Sequence, residues 1–150
     1  MIHTFLLQID VDSVFGLALA GFSIMLICLL LLVGLIIKIL YLITLQRTME
    51  KVKPENREMT PGQVWLEIIP FFGLVWQFFN VTYISNSLKK ELISRNLTLP
   101  EARPAYGIGL ATCILFCCSI IPLLGGIAVL GGLICWIIYW VKIVSYKNML

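Results

Sequence analysis

The sequence is short of charge. Only 13% of its 150 residues are Asp, Glu, Lys or Arg, while 60% are apolar; a soluble domain carries about 25% charge. That combination excludes a water-soluble monomer, and it equally excludes a disordered chain, which needs low hydrophobicity. Basic residues are absent before Lys38, so residues 1–13 lack the positive segment of a secretory leader. A net charge of +3 spread over loops makes no basic stripe, and no nucleic-acid partner is expected. A Ser/His/Asp or Cys/His arrangement, paired carboxylates, a Gly-rich phosphate loop and an HExxH pair are all missing. No catalytic residue and no cofactor is therefore named, and the chain is read as not an enzyme.

What the chain does have is long apolar runs. Val14 to Ile37 is free of charge and, at 1.5 Å per residue, reaches about 36 Å, enough to cross a hydrocarbon core of about 30 Å. Residues 14–45 are expected to form the first span, with Lys38 snorkelling to the headgroups. Ala105 to Val141 is also free of charge. As one helix it would reach about 55 Å, so it must fold back. Ile121-Pro122-Leu123-Leu124-Gly125-Gly126 is where a turn fits, giving spans at 105–121 and 123–144. Trp136, Tyr139, Trp140 and Tyr146, with Lys142 and Lys147, read as an interfacial anchor.

Between these lies the ambiguous segment. Thr60-Pro61-Gly62-Gln63 reads as a helix start with a capping box. The residues it opens carry Glu67, Gln77 and Asn80, and Pro70 with Gly73 predicts a sharp bend. Charge decides the topology. All 11 Lys/Arg lie at position 38 or later. A full crossing at 64–84 would divide them almost evenly between the two sides. If residues 61–95 dip in and return, every one faces the cytoplasm and the N-terminus faces out, as the positive-inside rule favours. The expected fold is all-α and polytopic, a single membrane domain over 1–150. It has three transmembrane helices plus a cytoplasmic-side re-entrant helical hairpin, with four full spans as the alternative.

The candidate sites are few. Glu67 is the only acid in a membrane-inserting segment, and intramembrane ionisable residues are functional candidates by default. Glu67, Pro70, Gly73, Gln77 and Asn80 could form a polar path or a partner contact. Against that stands an interfacial Glu67 at headgroup depth, bonded to Lys or water. Cys113, Cys117 and Cys118 could hold a soft metal, but without an accompanying histidine they read as small buried hydrophobes. His3 with Asp10 and Asp12 matches no ligand motif and reads as a solvated tail; no metal is expected. Small residues form stripes at Gly109, Cys113 and Cys117, and at Gly125, Ala128 and Gly132, where helices can approach closely. Gly16 and Ala20 repeat that spacing in the first span.

The segments WLEIIPFFGLVWQFFNVTYISNSLKKE (65–91) and CSIIPLLGGIAVLGGLICWIIYWVKIVSYKNML (118–150) resemble a family of small uncharacterised bacterial integral membrane proteins. Its members share a W-L-x-x-I-P-x-F-x-L-x-W-x-F segment and a CWIIYWVKI-like C-terminal span. Where the family has Asn after the Phe, this chain has Gly73, so no role for that amide carries over. The resemblance implies a bacterial inner (cytoplasmic) membrane location and transfers no site residues.

The function expected is that of a non-enzymatic structural or accessory subunit of a bacterial inner-membrane complex. The partners would be membrane lipids and other membrane protein subunits or a second copy of the chain. Two alternatives stand beside it: a homo-oligomeric pore or small-solute transporter, and a lipid- or curvature-interacting protein.

Overall fold

The computed structural model describes the backbone of residues 2–122 and 124–150, and side chains from Ser13 onward except Leu123. Among the described residues the regular structure is all helix, with no strand. Its four α-helices are α1 (Ile2–Lys51), α2 (Phe72–Ser94), α3 (Tyr106–Cys118) and α4 (Gly125–Met149). A 3-10 turn at Pro54–Asn56 and a 3-10 helix at Pro61–Ile68 separate α1 from α2. Two compact units divide at Leu40/Tyr41: Met1–Leu40 and Tyr41–Leu150.

The first unit is the N-terminal part of α1. Every described residue from Ser13 to Ile37 is exposed, and no neighbour comes within 4 Å of where a Cβ would stand on Gly16, Gly21 or Gly34. Without a proline to interrupt it, the apolar run stays helical over about 37 Å. The helix already starts at Ile2, where a solvated tail was expected. The side chains of His3, Asp10 and Asp12 lie outside the described residues.

The second unit builds its own core. Tyr41, Leu42, Leu45 and Met49 come from the end of α1. They meet Val81, Ile84, Leu88 and Leu92 of α2 and Tyr139, Ile143 and Tyr146 of α4. Spacings of three, four and seven put each set on one helical face. The end of α1 runs to Lys51, beyond residue 45, because its last carbonyls find partners. Arg57 Nε and Nη2 donate to Val52 O at 2.8 Å and Glu50 O at 2.9 Å, and Arg95 Nη2 donates to Lys51 O at 3.1 Å. These arginines satisfy groups a helix terminus leaves open.

Among the described residues two helical stretches are long and apolar enough to cross a membrane, Ser13–Lys51 and Gly125–Met149. Both present that surface outward, with 11% and 22% of their most apolar windows buried, unlike the core helix of a soluble protein. The span expected at 105–121 is shorter than a span. α3 has 13 residues, about 20 Å against the ~30 Å required. Its start is delayed by Pro104 and by Ala105 at φ 56°. Beyond Cys118 the chain tightens into i→i+3 bonds from Ile120 to Cys117 O and from Ile121 to Cys118 O, and Pro122 then removes a donor. The reversal runs from Ser119 to Leu124, and α4 begins at Gly125 and continues past 144 to Met149.

Candidate functional site: the 61–95 hairpin

Residues 53–69 run antiparallel to α2. Thr60 N–H donates to Gln63 Oε1 at 2.9 Å, a capping-box bond, and Pro61 occupies the first turn. The helix that follows is 3-10, where an α-helical segment was expected. Prolines at 61 and 70 leave eight residues between them, and the residue before Pro70 is steered out of the α region. At about 2 Å per residue, the eight residues of Pro61–Ile68 span about 16 Å.

The chain reverses at Pro70–Phe71. Phe71 adopts φ 61° and stands 89% exposed at the tip. The turn supplies its own hydrogen bonds, from Phe72 N to Pro70 O and from Gly73 N to Ile69 O, both at 2.7 Å. Gly73 is where the two arms touch. A Cβ there would stand 2.2 Å from the Glu67 carbonyl oxygen, so only glycine admits this approach.

Gly73, Gln77 and Asn80 lie at i, i+4 and i+7 and are all buried. The structure brings Asn80 to Glu67: its Nδ2 donates to Glu67 Oε2 at 2.5 Å and, at 3.5 Å, reaches Val64 O. Glu67 is only 5% exposed and interacts electrostatically with Tyr41 and Tyr139. The carboxylate sits inside the unit rather than at a solvated entrance. Of the five hairpin residues named from sequence, Glu67, Gly73 and Asn80 meet at one buried interface, Gln77 is buried on the same helix, and Pro70 forms the exposed turn.

Outside that interface the hairpin is apolar. Ile68, Ile69, Phe72, Leu74, Val75 and Phe79 are exposed. Phe72, Trp76, Phe79 and Tyr83 form a ladder of rings at centroid distances of 5.5, 5.5 and 5.9 Å. Trp76 Nε1 donates to Gln63 O at 2.8 Å, which joins the ladder to the opposite arm and satisfies the indole.

At its other end the hairpin is fastened by two carboxylates. Glu91 accepts from Lys53 N at 3.0 Å, Asn56 Nδ2 at 2.7 Å and Arg95 Nε at 2.7 Å, and its side chain is wholly buried. Burial works against its charge, but the bonds from Asn56, Lys53 and Arg95 outweigh it, so the carboxyl stays below its ordinary range. Glu58 pairs with Lys90 at 2.9 Å and accepts from Asn86 at 2.9 Å. Its carboxyl is also lowered, these partners outweighing its desolvation. Arg95 Nη1 further donates to Leu150 O at 2.6 Å.

The sequence reading did not place Glu91, Arg95, Glu58 or Tyr41 among the site residues. The i, i+4 acid–base spacing of Glu91 and Arg95 was a usable signal; nothing local marks Tyr41.

The small-residue stripes pack the unit against itself in part. A Cβ on Gly109 would meet Val81 Cγ1 at 2.6 Å and Tyr139 Cε2 at 2.8 Å; one on Gly132 would meet Phe116 at 3.1 Å, and one on Gly125 Ser119 O at 2.9 Å. Ala128 and Cys113 are buried, whereas Cys117 is exposed. The five cysteines are free thiols. The expected aromatic anchor divides. Tyr139 and Tyr146 are core residues, because Gly109 leaves room for the Tyr139 ring. Trp136 and Trp140 pack tilted or edge-on against each other and against Tyr41 at centroid distances of 5.0–5.9 Å. Lys142 pairs with Glu101.

Comparison with protein-family models, with curated proteins and with solved structures returned no match.

Proposed function

We propose that this protein is a non-enzymatic accessory subunit of a bacterial inner-membrane complex, with its N-terminus outside and its C-terminus in the cytoplasm. The observation that carries the reading is the bare helix Ser13–Ile37. Its whole circumference is apolar and exposed, and the unit Tyr41–Leu150 has a core of its own. Exposed apolar surface on that scale needs lipid or protein to cover it. An apolar span of this kind can pack with helices of a partner.

In this reading residues 14–45 cross the bilayer and 61–95 re-enter from the cytoplasmic side. The 105–144 segment returns as a tight pair, its first arm a short helix. The 16 Å length of the first hairpin arm, about half a hydrocarbon core, supports re-entry over a crossing. So does the self-satisfied backbone at the tip, which membrane depth demands. Single cysteines at positions 56 and 96, in a background lacking the native five, test the topology. An impermeant reagent labels both from the same side if the hairpin re-enters; labelling from opposite sides means a full crossing.

The function itself is tested by gentle extraction from the native membrane and measurement of the mass and composition of the complex. A hetero-complex with a larger protein supports the accessory reading. A closed homo-oligomer overturns it in favour of a pore. One observation favours that second reading: the Glu67–Asn80 pair with Gln77 beside it. A pore predicts that Gln77→Leu changes flux in liposomes; unchanged flux removes it.

A further inference from the structure

A recess of about 450 Å³ opens at the mouth of the hairpin, lined among others by Arg57, Glu58, Thr60 and Gln63. Three hydrogen-bond donors in its lining have no partner among the described residues. Arg57 is held by its Nε and Nη2 on the carbonyls of Val52 and Glu50, which fixes the guanidinium plane and leaves Nη1 without a partner. The Thr60 hydroxyl donates to no acceptor among the described residues. Gln63 spends its oxygen on Thr60 N–H and leaves its Nε2 open. The one carboxylate in the lining, Glu58, is taken by Lys90 and Asn86, so it is already neutralised by a cation. A pre-oriented guanidinium flanked by neutral donors is the chemistry that recognises a phosphoryl oxyanion.

The apolar surface below the recess says which phosphate. Trp76, bonded to the carbonyl of Gln63, starts a strip that continues over Phe72 to the exposed Ile68, Ile69 and Phe71. From Gln63 to Ile69 the 3-10 arm descends about 12 Å, close to the ~15 Å of hydrocarbon in one leaflet. Donors at the top and an aromatic strip of acyl-chain length beneath them are what one phospholipid molecule would cover.

We infer that the recess at Arg57, Thr60 and Gln63 binds the phosphodiester of a phospholipid whose acyl chain lies along Trp76 and Phe72. The assignment deepens the membrane reading of the hairpin and rests on it. Labelling at positions 56 and 96 reports the topology separately, so failure of one is distinguishable from failure of the other.

The test uses the full chain in a sugar-based detergent free of phosphate, titrated with dihexanoyl-phosphatidylglycerol and followed by native mass spectrometry. One lipid binds per chain, saturably, and inorganic phosphate at equal concentration does not displace it. Gln63→Glu keeps an oxygen for Thr60 N–H but replaces the donor by a negative charge, and it weakens lipid binding about tenfold or more. Thr60→Val leaves the Thr60 N–H bond intact and weakens binding about threefold; it decides the matter if circular dichroism shows that Gln63→Glu has lost its helices. Equal affinity of the folded variants and the parent chain overturns the inference. Displacement by inorganic phosphate overturns it too, by assigning the recess to a free anion.

Discussion

Replacing Gly73 by alanine probes the contact on which the hairpin turns. The new Cβ would stand 2.2 Å from the Glu67 carbonyl oxygen and 3.0 Å from its carbonyl carbon. Ordinary carbon–oxygen contacts lie at about 3.3 Å or more, so the arms must part by about 1 Å. The obstacle is backbone, and no rotamer relieves it. Overpacking of this kind costs about 1–3 kcal/mol. Parting the arms also strains the 2.5 Å bond from Asn80 to Glu67, and a buried carboxylate that loses a donor adds about 1–3 kcal/mol. A loss of about 3–4 kcal/mol follows, which for a chain of this size lowers the thermal midpoint by about 10 °C. Gly131→Ala is the control: its Cβ meets Leu115 Cδ1 at 3.6 Å, ordinary contact, and helix propensity favours alanine by up to about 1 kcal/mol. Thermal unfolding of both variants in micelles, followed by tryptophan fluorescence, makes the comparison. If Gly73→Ala melts within about 2 °C of the parent chain, Gly73 does not lie against the Glu67 carbonyl.

Glu91, with its carboxyl held below its unfolded value near 4.3, contributes stability that is present above that value and is lost as pH falls through the folded one. The thermal midpoint accordingly drops on acidification below about pH 4.5, and Glu91→Gln, which removes about 2–3 kcal/mol at neutral pH, flattens that drop; an unchanged slope in the variant refutes the assignment. Gly109→Ala clashes with Val81 at 2.6 Å and costs about 1–3 kcal/mol; adding Val81→Ala recovers part of it, and strict additivity in a double-mutant cycle would show that the two do not touch. Arg95→Lys keeps the charge but loses the guanidinium that reaches Glu91, Leu150 O and Lys51 O at once. It lowers stability by about 1–2 kcal/mol and leaves the labelling side of position 96 unchanged, whereas a change of side would mean that the arginine sets topology by its shape.

Much of the architecture was legible because it follows from composition and proline placement. The apolar run at 14–37, the break between Pro70 and Gly73 and the fold-back near Pro122 each rest on one local cause. The length of α3 was not legible. An uncharged run of sequence does not say where backbone geometry stops a helix, and Ala105 at φ 56° is a tertiary outcome. The 3-10 character of Pro61–Ile68 was hidden for a related reason, since apolar spacing over eight residues does not separate three residues per turn from 3.6. Within the site, Gly73, Gln77 and Asn80 were found because polar and flexible residues are conspicuous in an apolar segment. Tyr41 was not, since it lies in a different helix and reaches Glu67 only through the fold.

The direction in which the hairpin's polar residues point bears on the choice between subunit and pore. A water-filled path needs polar side chains that face a lumen, and in this chain Asn80 and Gln77 are both buried. Asn80 is bonded to a carboxylate of the opposite arm. Opening a path through them would break the Asn80–Glu67 bond and disturb the contact at Gly73 that closes the turn. The hairpin's outward surface is apolar from Ile68 to Phe79. Polar residues that knit one arm to the other, beneath an apolar exterior, are what non-helical backbone requires at membrane depth, where each unsatisfied group costs several kcal/mol. A second copy could supply a lumen only by meeting a face that is itself apolar, so the same arrangement that stabilises the turn weighs against conduction and in favour of a surface covered by lipid or by a partner's helices.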